Sequence, residues 1–458
     1  MSKQIRFNAF EMNCVGHQSS GLWRYPGDRS WQYKDLSYWT DLAQLLEKGL
    51  FDALFIADVI GYYDVYGGNI DTALREASQV PVNDPLQLAA PIAMVTEHLG
   101  IGITLSTTYD HPYTFARRLS TADHLTGGRI GWNIVTSYLD SGARNVGNAV
   151  LLEHDARYQR AEEYMEVIYK LLEGSWEQDA VVRDRERGVF TDPRKVHAIG
   201  HQGTFYQVPG VHMSEPSPQR TPLLFQAGSS TAGVSFAARN AECVFVNSHT
   251  LSGLKTYVST LRQQVAEQGR DPQSVLAYAL ITVIVDETDE KAQAKWRGYQ
   301  EYISREGALA LISGWSGQDF AQPQPDQPVA KDQPGKLAAL VNTFAGADQT
   351  WSVNQLAEYG SIGGLGQVFV GSAATVADQL QHWVEETDVD GFNLAYVVAH
   401  ETFADIVRWL VPELQRRGVY QTAYAPGSTL REKLFQRGPH LPETHPAHQY
   451  RDPAQYQR

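Results

Sequence analysis

Residues 101–138 carry the feature that most limits how this chain can fold: two apolar runs separated by one amphipathic stretch. Residues 101–105 and 130–135 are each apolar except for one glycine and one polar residue, which is typical of strands buried on both faces. Between them, residues 113–125 place apolar side chains at helical spacing, and Gly127-Gly128 supplies a stop signal. We therefore predict a β-α-β unit, with polar residues after each strand at the edge where parallel α/β folds bind ligands.

The rest of the chain repeats this alternation. Six further apolar runs predict strands, at residues 5–10, 51–57, 223–226, 243–246, 277–285 and 392–397. Eight strands alternating with helices predict a single (β/α)8 TIM barrel over residues 1–418, with a doubly wound open sheet as the alternative. Long loop insertions are expected at about 61–84, 173–220 and 305–366, the last including a loop at 313–317, and residues 419–458 are expected to form a polar C-terminal tail that wraps the body or a partner subunit.

Charge and composition exclude several classes of protein. The formal net charge is −14 without a cluster of Lys or Arg, which argues against nucleic acid or an anionic membrane as a partner. The N-terminus lacks a signal peptide's apolar core and no run of about 18 apolar residues occurs, so a cytoplasmic location is expected. The two cysteines, Cys14 and Cys243, are far apart, and no metal site is predicted.

The sequence Gln-Ala-Gly-Ser-Ser at 226–230 joins a predicted strand to a predicted helix at 231–239. Small residues at such a turn allow backbone amides and two hydroxyl groups to contact a phosphate. A simpler interpretation is that Ser230 only caps the helix. The sequence alone leaves both interpretations open.

Polar side chains follow several predicted strands. Asp58, Ser106 and Asn133 lie at strand ends; each could cap a neighbouring helix, but together they suit a polar planar ligand. Paired carboxylates and a Ser/His/Asp set are not found on these edges, which argues against hydrolysis. The segment 154–158 lies where a loop enters a long helix, so it is either a capping segment or a second phosphate contact.

Several motifs together resemble one protein family over almost the whole chain. They are NAFEMNCVGH at 8–17, FDALFIAD at 51–58, the stretch at 107–137, EHDARY at 153–158, QAGSS at 226–230 and DGFNL at 390–394. They closely resemble the bacterial-luciferase-like flavin monooxygenases, in the branch that contains the nitrilotriacetate, dibenzothiophene-sulfone, long-chain alkane and dimethyl sulfide monooxygenases. The resemblance implies a barrel that receives FMNH2 from a separate NAD(P)H-dependent flavin reductase and oxygenates its substrate through a flavin C4a-hydroperoxide formed with O2. A homodimer or homotetramer is also implied.

The resemblance assigns roles to individual positions. It implies that the FMN ring and ribityl region contact Asp58, Ser106 and Asn133, and that the ribityl and phosphate region contacts His154, Tyr158, Gly228, Ser229 and Ser230. Candidate catalytic or pocket positions are Cys14, His17, Tyr63, Gln79 and Tyr138. For Cys14 and His17, packing without any catalytic role is the competing interpretation.

The substrate implied by the resemblance is a small organosulfur compound. Cys14, His17, Tyr63 and Gln79 match pocket positions of the alkane-oxidising members, but two pocket histidines of those members correspond here to Tyr138 and Leu311. The segments around 137–145 and 306–317 are more similar to the dimethyl sulfide-oxidising members, which favours a dimethyl sulfide-like thioether and leaves long-chain alkane hydroxylation as the alternative. Two other classes remain: a deazaflavin-dependent hydride-transfer enzyme and a non-catalytic flavin-binding protein.

Overall fold

The computed structural model describes residues 3–148, 150–228, 230–248, 250–322 and 351–452. The described strands are β1 Arg6–Met12, β2 Ala53–Ala57, β3 Gly100–Ser106, β4 Ile130–Val135, β5 Val181–Asp184, β6 Val189–Thr191, β7 His201–Gln202, β8 Gln207–Val208, β9 Leu223–Ala227, β10 Cys243–Val246, β11 Leu276–Asp286, β12 Gln367–Ser372 and β13 Gly391–Ala395. Eight of them pair in parallel in the order β1-β2-β3-β4-β9-β10-β11-β13 and close back on β1. The predicted (β/α)8 barrel is confirmed and the open-sheet alternative is wrong.

The eight strands predicted from the sequence do not include β12. It pairs in parallel with the second half of β11, from Ile281 to Asp286, where β11 extends past its pairing with β13. Four of its six residues are only partly buried. Because β12 does not run through the doubly buried wall of the barrel, it lacks the continuous apolar run by which the other strands were recognised.

Helices surround the barrel. Those described are Leu36–Lys48, Asp71–Glu76, Ala89–Met94, Pro112–Leu125, Asp140–Asn145, His154–Tyr169, Thr231–Asn240, Leu251–Glu267, Asp289–Gln300, Arg305–Ser316, Val353–Gly360, Ala373–Thr387, Glu401–Asp405, Val411–Arg416 and Leu430–Phe435. None of the described helices is long and apolar enough to cross a membrane.

Two local predictions need correction. The apolar spacing at residues 86–99 predicts one helix, whereas the structure has a 3-10 turn at Pro85–Leu88 followed by the short helix Ala89–Met94. The loop expected at 313–317 is wrong, because these residues continue the helix Arg305–Ser316, which ends on Gly317 at φ 76°. Glycine adopts this left-handed conformation readily and commonly ends helices.

Aromatic rings fill the part of the barrel interior nearest the N-terminal ends of the strands. Phe225 and Phe245 stack with their ring centroids 5.3 Å apart, and Phe55 packs against both. The tail helix Leu430–Phe435 joins this cluster and covers the end of the barrel where the strands begin. Because the interior is closed at that end, a ligand has room only at the C-terminal ends of the strands.

Candidate active site

A cavity of about 310 Å³ lies at the C-terminal ends of the barrel strands. Each of the eight barrel strands contributes to its wall: β1 with Phe10 and Met12, and the others with Ala57, Thr104, Asn133, Ala227, Phe245, Leu280 and Asn393. These residues share the inward face because side chains alternate along a strand. The register pairs Thr104 with Asn133, so these two side chains stand at the same level.

Five of the predicted site residues line this cavity: His17, Asp58, Gln79, Asn133 and Tyr138. Two others lie in the layer behind the wall. Tyr63 reaches the wall through hydrogen bonds, and Cys14 packs in an apolar cluster with Tyr63, Leu311 and Tyr138. Burial raises the pKa of the Cys14 thiol well above its usual value, so this cysteine is poorly suited to act as a thiolate nucleophile.

Ser106 is not among the residues that line the cavity. Its hydroxyl group lies 2.7 Å from the Ser137 hydroxyl and accepts a hydrogen bond from the Thr108 amide at 3.1 Å. Ser137 has φ 61°, a left-handed conformation that is uncommon for a residue with a side chain. Ser106 therefore supports the turn that follows β4.

Amide oxygens in the cavity wall lack partners. Within the described residues, the Oδ1 atoms of Asn133, Asn247 and Asn393 are buried without a hydrogen-bond partner, although Asn133 Nδ2 donates to Thr104 at 2.9 Å. A buried acceptor without a partner is costly in free energy. Amides of this kind in a cavity wall indicate a ligand that brings N–H or O–H donors.

Burial weakens the charges of the ionisable groups in the wall. The pKa of Asp58 is raised to about 7, mainly by burial and further by Asp84, against the Val59 amide that lowers it. The pKa of His17 is lowered to about 3 by burial, so its imidazole is neutral. The cavity therefore carries little net charge at neutral pH.

A hydrogen-bond chain runs along one side of the cavity. The Tyr63 hydroxyl donates to Gln79 Oε1 at 2.7 Å, lies 2.6 Å from the Tyr138 hydroxyl and accepts from Trp315 Nε1 at 3.2 Å. Trp315 comes from the helix Arg305–Ser316, in which a Cβ at Gly314 would stand 2.2 Å from the Tyr63 ring. The helix and the Tyr63 loop thus fit together closely at a glycine.

A second polar cluster, the cradle, is formed by His154, Tyr158, Gly228 and Ser230. Ser230 Oγ accepts from the Gly233 amide at 3.0 Å and lies 3.1 Å from His154 Nε2. Ser230 thus caps the helix Thr231–Asn240, as the simpler interpretation of this turn predicted. Ser229, which was also predicted to contact the cofactor, lies outside the described residues.

Gly228 approaches two side chains of the cradle closely. A Cβ at Gly228 would lie 2.7 Å from Gln226 Nε2 and 3.2 Å from the Tyr158 hydroxyl. Nearby, the guanidinium of Arg157 is buried and donates to the carbonyls of Thr136 and Ser137, and its Nε has no hydrogen-bond partner within the described residues. Burial raises the pKa of Tyr158 and the charge of Arg157 opposes this effect, so the guanidinium acts on the Tyr158 side of the cradle. Positive charge on this side suits an anion.

The cavity and the cradle are continuous through the chain, because Ala227 lines the cavity and Gly228 belongs to the cradle. Sequence reasoning missed Thr104, Asn247, Asn393 and Trp315. Asn247 directly follows β10, the same signal by which Asp58 was found after β2. Trp315 had no such signal, because it is brought to the cavity by a helix that the sequence analysis had placed in an insertion.

Comparisons with known proteins agree with this arrangement. The model of the family described as "Luciferase-like monooxygenase" matches residues 10–391. The dimethyl-sulfide monooxygenase of Hyphomicrobium sulfonivorans is 49% identical over 99% of this chain and 95% of its own length, and its crystal structure superposes with a TM-score of 0.93 over 98% and 96% of the two chains. The long-chain alkane monooxygenase of Geobacillus thermodenitrificans is also 49% identical, over 99% of both chains. A crystal structure of long-chain alkane monooxygenase has a TM-score of 0.92 over 98% of this chain and 100% of that chain.

Proposed function

The chain belongs to the luciferase-like monooxygenase family, and on this premise we propose that it is the oxygenase of a two-component system, using FMNH2 made by a separate NAD(P)H-dependent flavin reductase. Membership makes it a flavin-dependent monooxygenase. The observation that supports the finer proposal is that the polar cradle begins at Gly228, directly after Ala227, which lines a nearly uncharged cavity at the mouth of the barrel. A mononucleotide with a phosphate at one end and a planar ring at the other matches this shape.

The residues present fit FMN. The amide oxygens of Asn133, Asn247 and Asn393, which have no partner among the residues that the structure describes, would accept hydrogen bonds from N–H or O–H groups of the flavin. At the other end, Ser230, Tyr158 and the buried guanidinium of Arg157 would hold the phosphate, with Gly228 allowing close approach of the backbone.

Reduced flavin supplies the electrons that activate O2, and the chain supplies binding, orientation and exclusion of water. The apolar part of the wall, with Phe10, Phe245 and Leu280, favours a dry chamber. Asp58 is the group in this wall that can hold or release a proton near neutral pH, because its pKa is raised to about 7. The neutral His17 adds no charge to the chamber.

We propose a small thioether, similar to dimethyl sulfide, as the substrate. The two relatives are equally identical to this chain at 49%, so overall identity does not separate a thioether from an alkane. The small volume of the cavity, about 310 Å³, supports a short substrate beside the flavin ring. Leu311 and Tyr138 pack together on this side of the site, which makes it less polar than two histidines would.

The proposal also covers the oligomeric state, the location and the partners of the enzyme. We propose a homodimer or homotetramer in the cytoplasm that meets its reductase transiently, without nucleic acid or membrane as a partner. Analytical ultracentrifugation of the purified chain would test the oligomeric state, and a sedimentation coefficient of a monomer would contradict it.

A substrate panel tests the proposed substrate. The protein would be supplied with FMNH2 by a flavin reductase under air and offered short thioethers, sulfones and n-alkanes, with products analysed by gas chromatography. Oxidation of short thioethers at the highest kcat/KM is expected. Higher kcat/KM for alkanes of more than ten carbons would support the alternative activity instead.

A further inference from the structure

The side chains of Gln79, Tyr63 and Tyr138 form a chain of hydrogen bonds whose direction is set by the backbone. Gln79 Nε2 lies 2.9 Å from the carbonyl oxygen of His17, which can only accept. The amide nitrogen of Gln79 must therefore face His17, since the opposite orientation would place two oxygens 2.9 Å apart. The amide oxygen is left to face Tyr63.

This orientation decides where the proton of Tyr63 lies. Gln79 Oε1 can only accept, and it lies 2.7 Å from the Tyr63 hydroxyl, so the single phenolic proton of Tyr63 is used there. The lone pairs of Tyr63 remain. One accepts from Trp315 Nε1 at 3.2 Å, and Tyr138, whose hydroxyl is 2.6 Å away, must donate to the other.

Tyr138 thus donates its only hydroxyl proton to Tyr63, while the residue lines the cavity. Its oxygen can offer only lone pairs to a ligand. Its neighbours on this side are mostly apolar and include Met12, Val59 and Leu311; the ring N–H of Trp315, which donates to Tyr63, is the donor beside it. An acceptor in such an apolar setting discriminates by chemistry, because a ligand without a donor leaves it unsatisfied.

We propose that Tyr138 is a specificity-determining hydrogen-bond acceptor, held in that state by Gln79 as a positioning residue, so that the cavity prefers ligands with an O–H donor over isomers without one. Within the proposed class of small thioethers, the cavity would bind those that carry a hydroxyl group more tightly than those that do not, and small alcohols share the same donor. This inference rests on the proposed function only in taking the cavity as the substrate chamber.

Two isomers of formula C6H14O, 1-hexanol and methyl pentyl ether, provide the probe, because they differ in the presence of one O–H donor. Dissociation constants would be measured by isothermal titration calorimetry on FMN-loaded protein at one pH, so that the other acceptors in the wall, Asp58 and the amide oxygens of Asn133, Asn247 and Asn393, contribute equally to every ratio. The wild type is expected to bind the alcohol about fivefold more tightly than the ether, as for one net hydrogen bond.

Variants distinguish an effect of hydrogen-bond direction on the alcohol-to-ether ratio from an effect of packing. Tyr138→Phe should lower the preference for the alcohol to the level that the other acceptors in the wall supply. Gln79→Leu frees the Tyr63 proton to point at Tyr138, which then donates into the cavity, so the preference should reverse towards the ether; Tyr63→Phe should act in the same direction. The matched control is Tyr424→Phe, because the Tyr424 hydroxyl donates to the Phe51 carbonyl away from the cavity. This variant should retain the alcohol-to-ether ratio of the wild type.

An alcohol-to-ether ratio that stays the same in wild type, Tyr138→Phe and Gln79→Leu would overturn the proposal. FMN affinity, measured by fluorescence on the same samples, reports separately on the proposed function. Loss of FMN binding by the wild type would count against the flavin assignment, whereas the ratio of the two isomers would still decide the role of Tyr138.

Discussion

At the scale of single residues, the active-site cavity is kept nearly neutral by burial instead of by ion pairs. Asp58 and His17 both line the wall, and burial shifts the pKa of each towards its uncharged form. Charges in a chamber of low polarity cost free energy. The strand-end position of Asp58 was predictable from the sequence, but its raised pKa depends mainly on burial in the folded chain and further on the nearby carboxylate of Asp84.

Asp58 should make stability depend on pH. Its pKa is about 7 in the folded state and about 4 when unfolded, so the folded state binds more protons between these values and stability falls as pH rises through that window. Asp58→Asn removes this effect. We therefore compare the unfolding free energy of Asp58→Asn with that of the wild type at each pH. The difference in favour of the variant should be about 2–3 kcal/mol larger at pH 8 than at pH 5.

Urea denaturation at the two pH values would measure this difference. The exposed carboxylate of Asp41 provides the control, and Asp41→Asn should show the same small change at both pH values. An equal gain at pH 5 and pH 8 for Asp58→Asn would contradict the raised pKa.

Asn133 should contribute directly to flavin binding. Its Oδ1 is buried in the cavity wall without a partner among the described residues, so the ligand is expected to complete its hydrogen bonds. Asn133→Ala should weaken FMN binding about tenfold, whereas Asn148→Ala, at an exposed position, should not change it. A fluorescence titration would measure both, and unchanged affinity in Asn133→Ala would exclude this placement of the ring.

At the scale of elements, the site depends on segments that the sequence analysis had left as insertions. Apolar runs identified the eight barrel strands, because burial on both faces leaves a clear pattern. The pattern failed for the half-buried β12 and for the helix Arg305–Ser316, whose Ser-Gly-Trp-Ser end has the composition of a loop. Tertiary packing against Tyr63 explains why these residues remain helical.

The contact between that helix and Tyr63 can be tested at Gly314. A Cβ there would approach the Tyr63 ring to 2.2 Å, so Gly314→Ala should displace Tyr63 and lower kcat/KM at least tenfold. Gly298→Ala is the matched control, since a Cβ at this helical glycine meets no atom of the described part of the chain within 4 Å, and the change should stabilise the protein by about 0.5–1 kcal/mol. Unchanged kcat/KM in Gly314→Ala would show that the Tyr63 position does not matter.

The tail was predicted to wrap the body or a partner, and its helix Leu430–Phe435 lies against the base of the barrel. Arg431 is buried and forms two hydrogen bonds with the Glu242 carboxylate, at 2.7 and 2.8 Å. Removing one partner leaves an uncompensated buried charge. Arg431→Ala should therefore lower the unfolding free energy by about 3–5 kcal/mol.

The neighbouring tail residue Arg437 is the control. It is half-exposed and lies 3.4 Å from Asp271, so Arg437→Ala should change stability by less than about 0.5 kcal/mol. Differential scanning calorimetry would compare the two variants. Equal midpoints would show that the tail helix does not hold the barrel closed.

At the scale of the whole molecule, the barrel separates stability from chemistry. Aromatic packing and the tail helix close one end, while polar and weakly charged residues gather at the other, as is usual for catalytic barrels. The family could be predicted from the sequence, because several motifs resemble those of its members. The direction of the Gln79–Tyr63–Tyr138 hydrogen bonds could not be foreseen, because it depends on a backbone carbonyl that only the folded chain brings to Gln79.

We propose that this chain transfers one atom of O2 to an organic substrate with FMNH2 as the reductant. The most direct test supplies FMNH2 enzymatically under ¹⁸O₂ with a short thioether and follows the label by mass spectrometry. One ¹⁸O atom per molecule of oxidised product, formed only when the chain is present, is expected. Oxidation of FMNH2 to hydrogen peroxide without labelled product from any thioether or alkane, or substrate turnover that needs a deazaflavin and no oxygen, would contradict the claim.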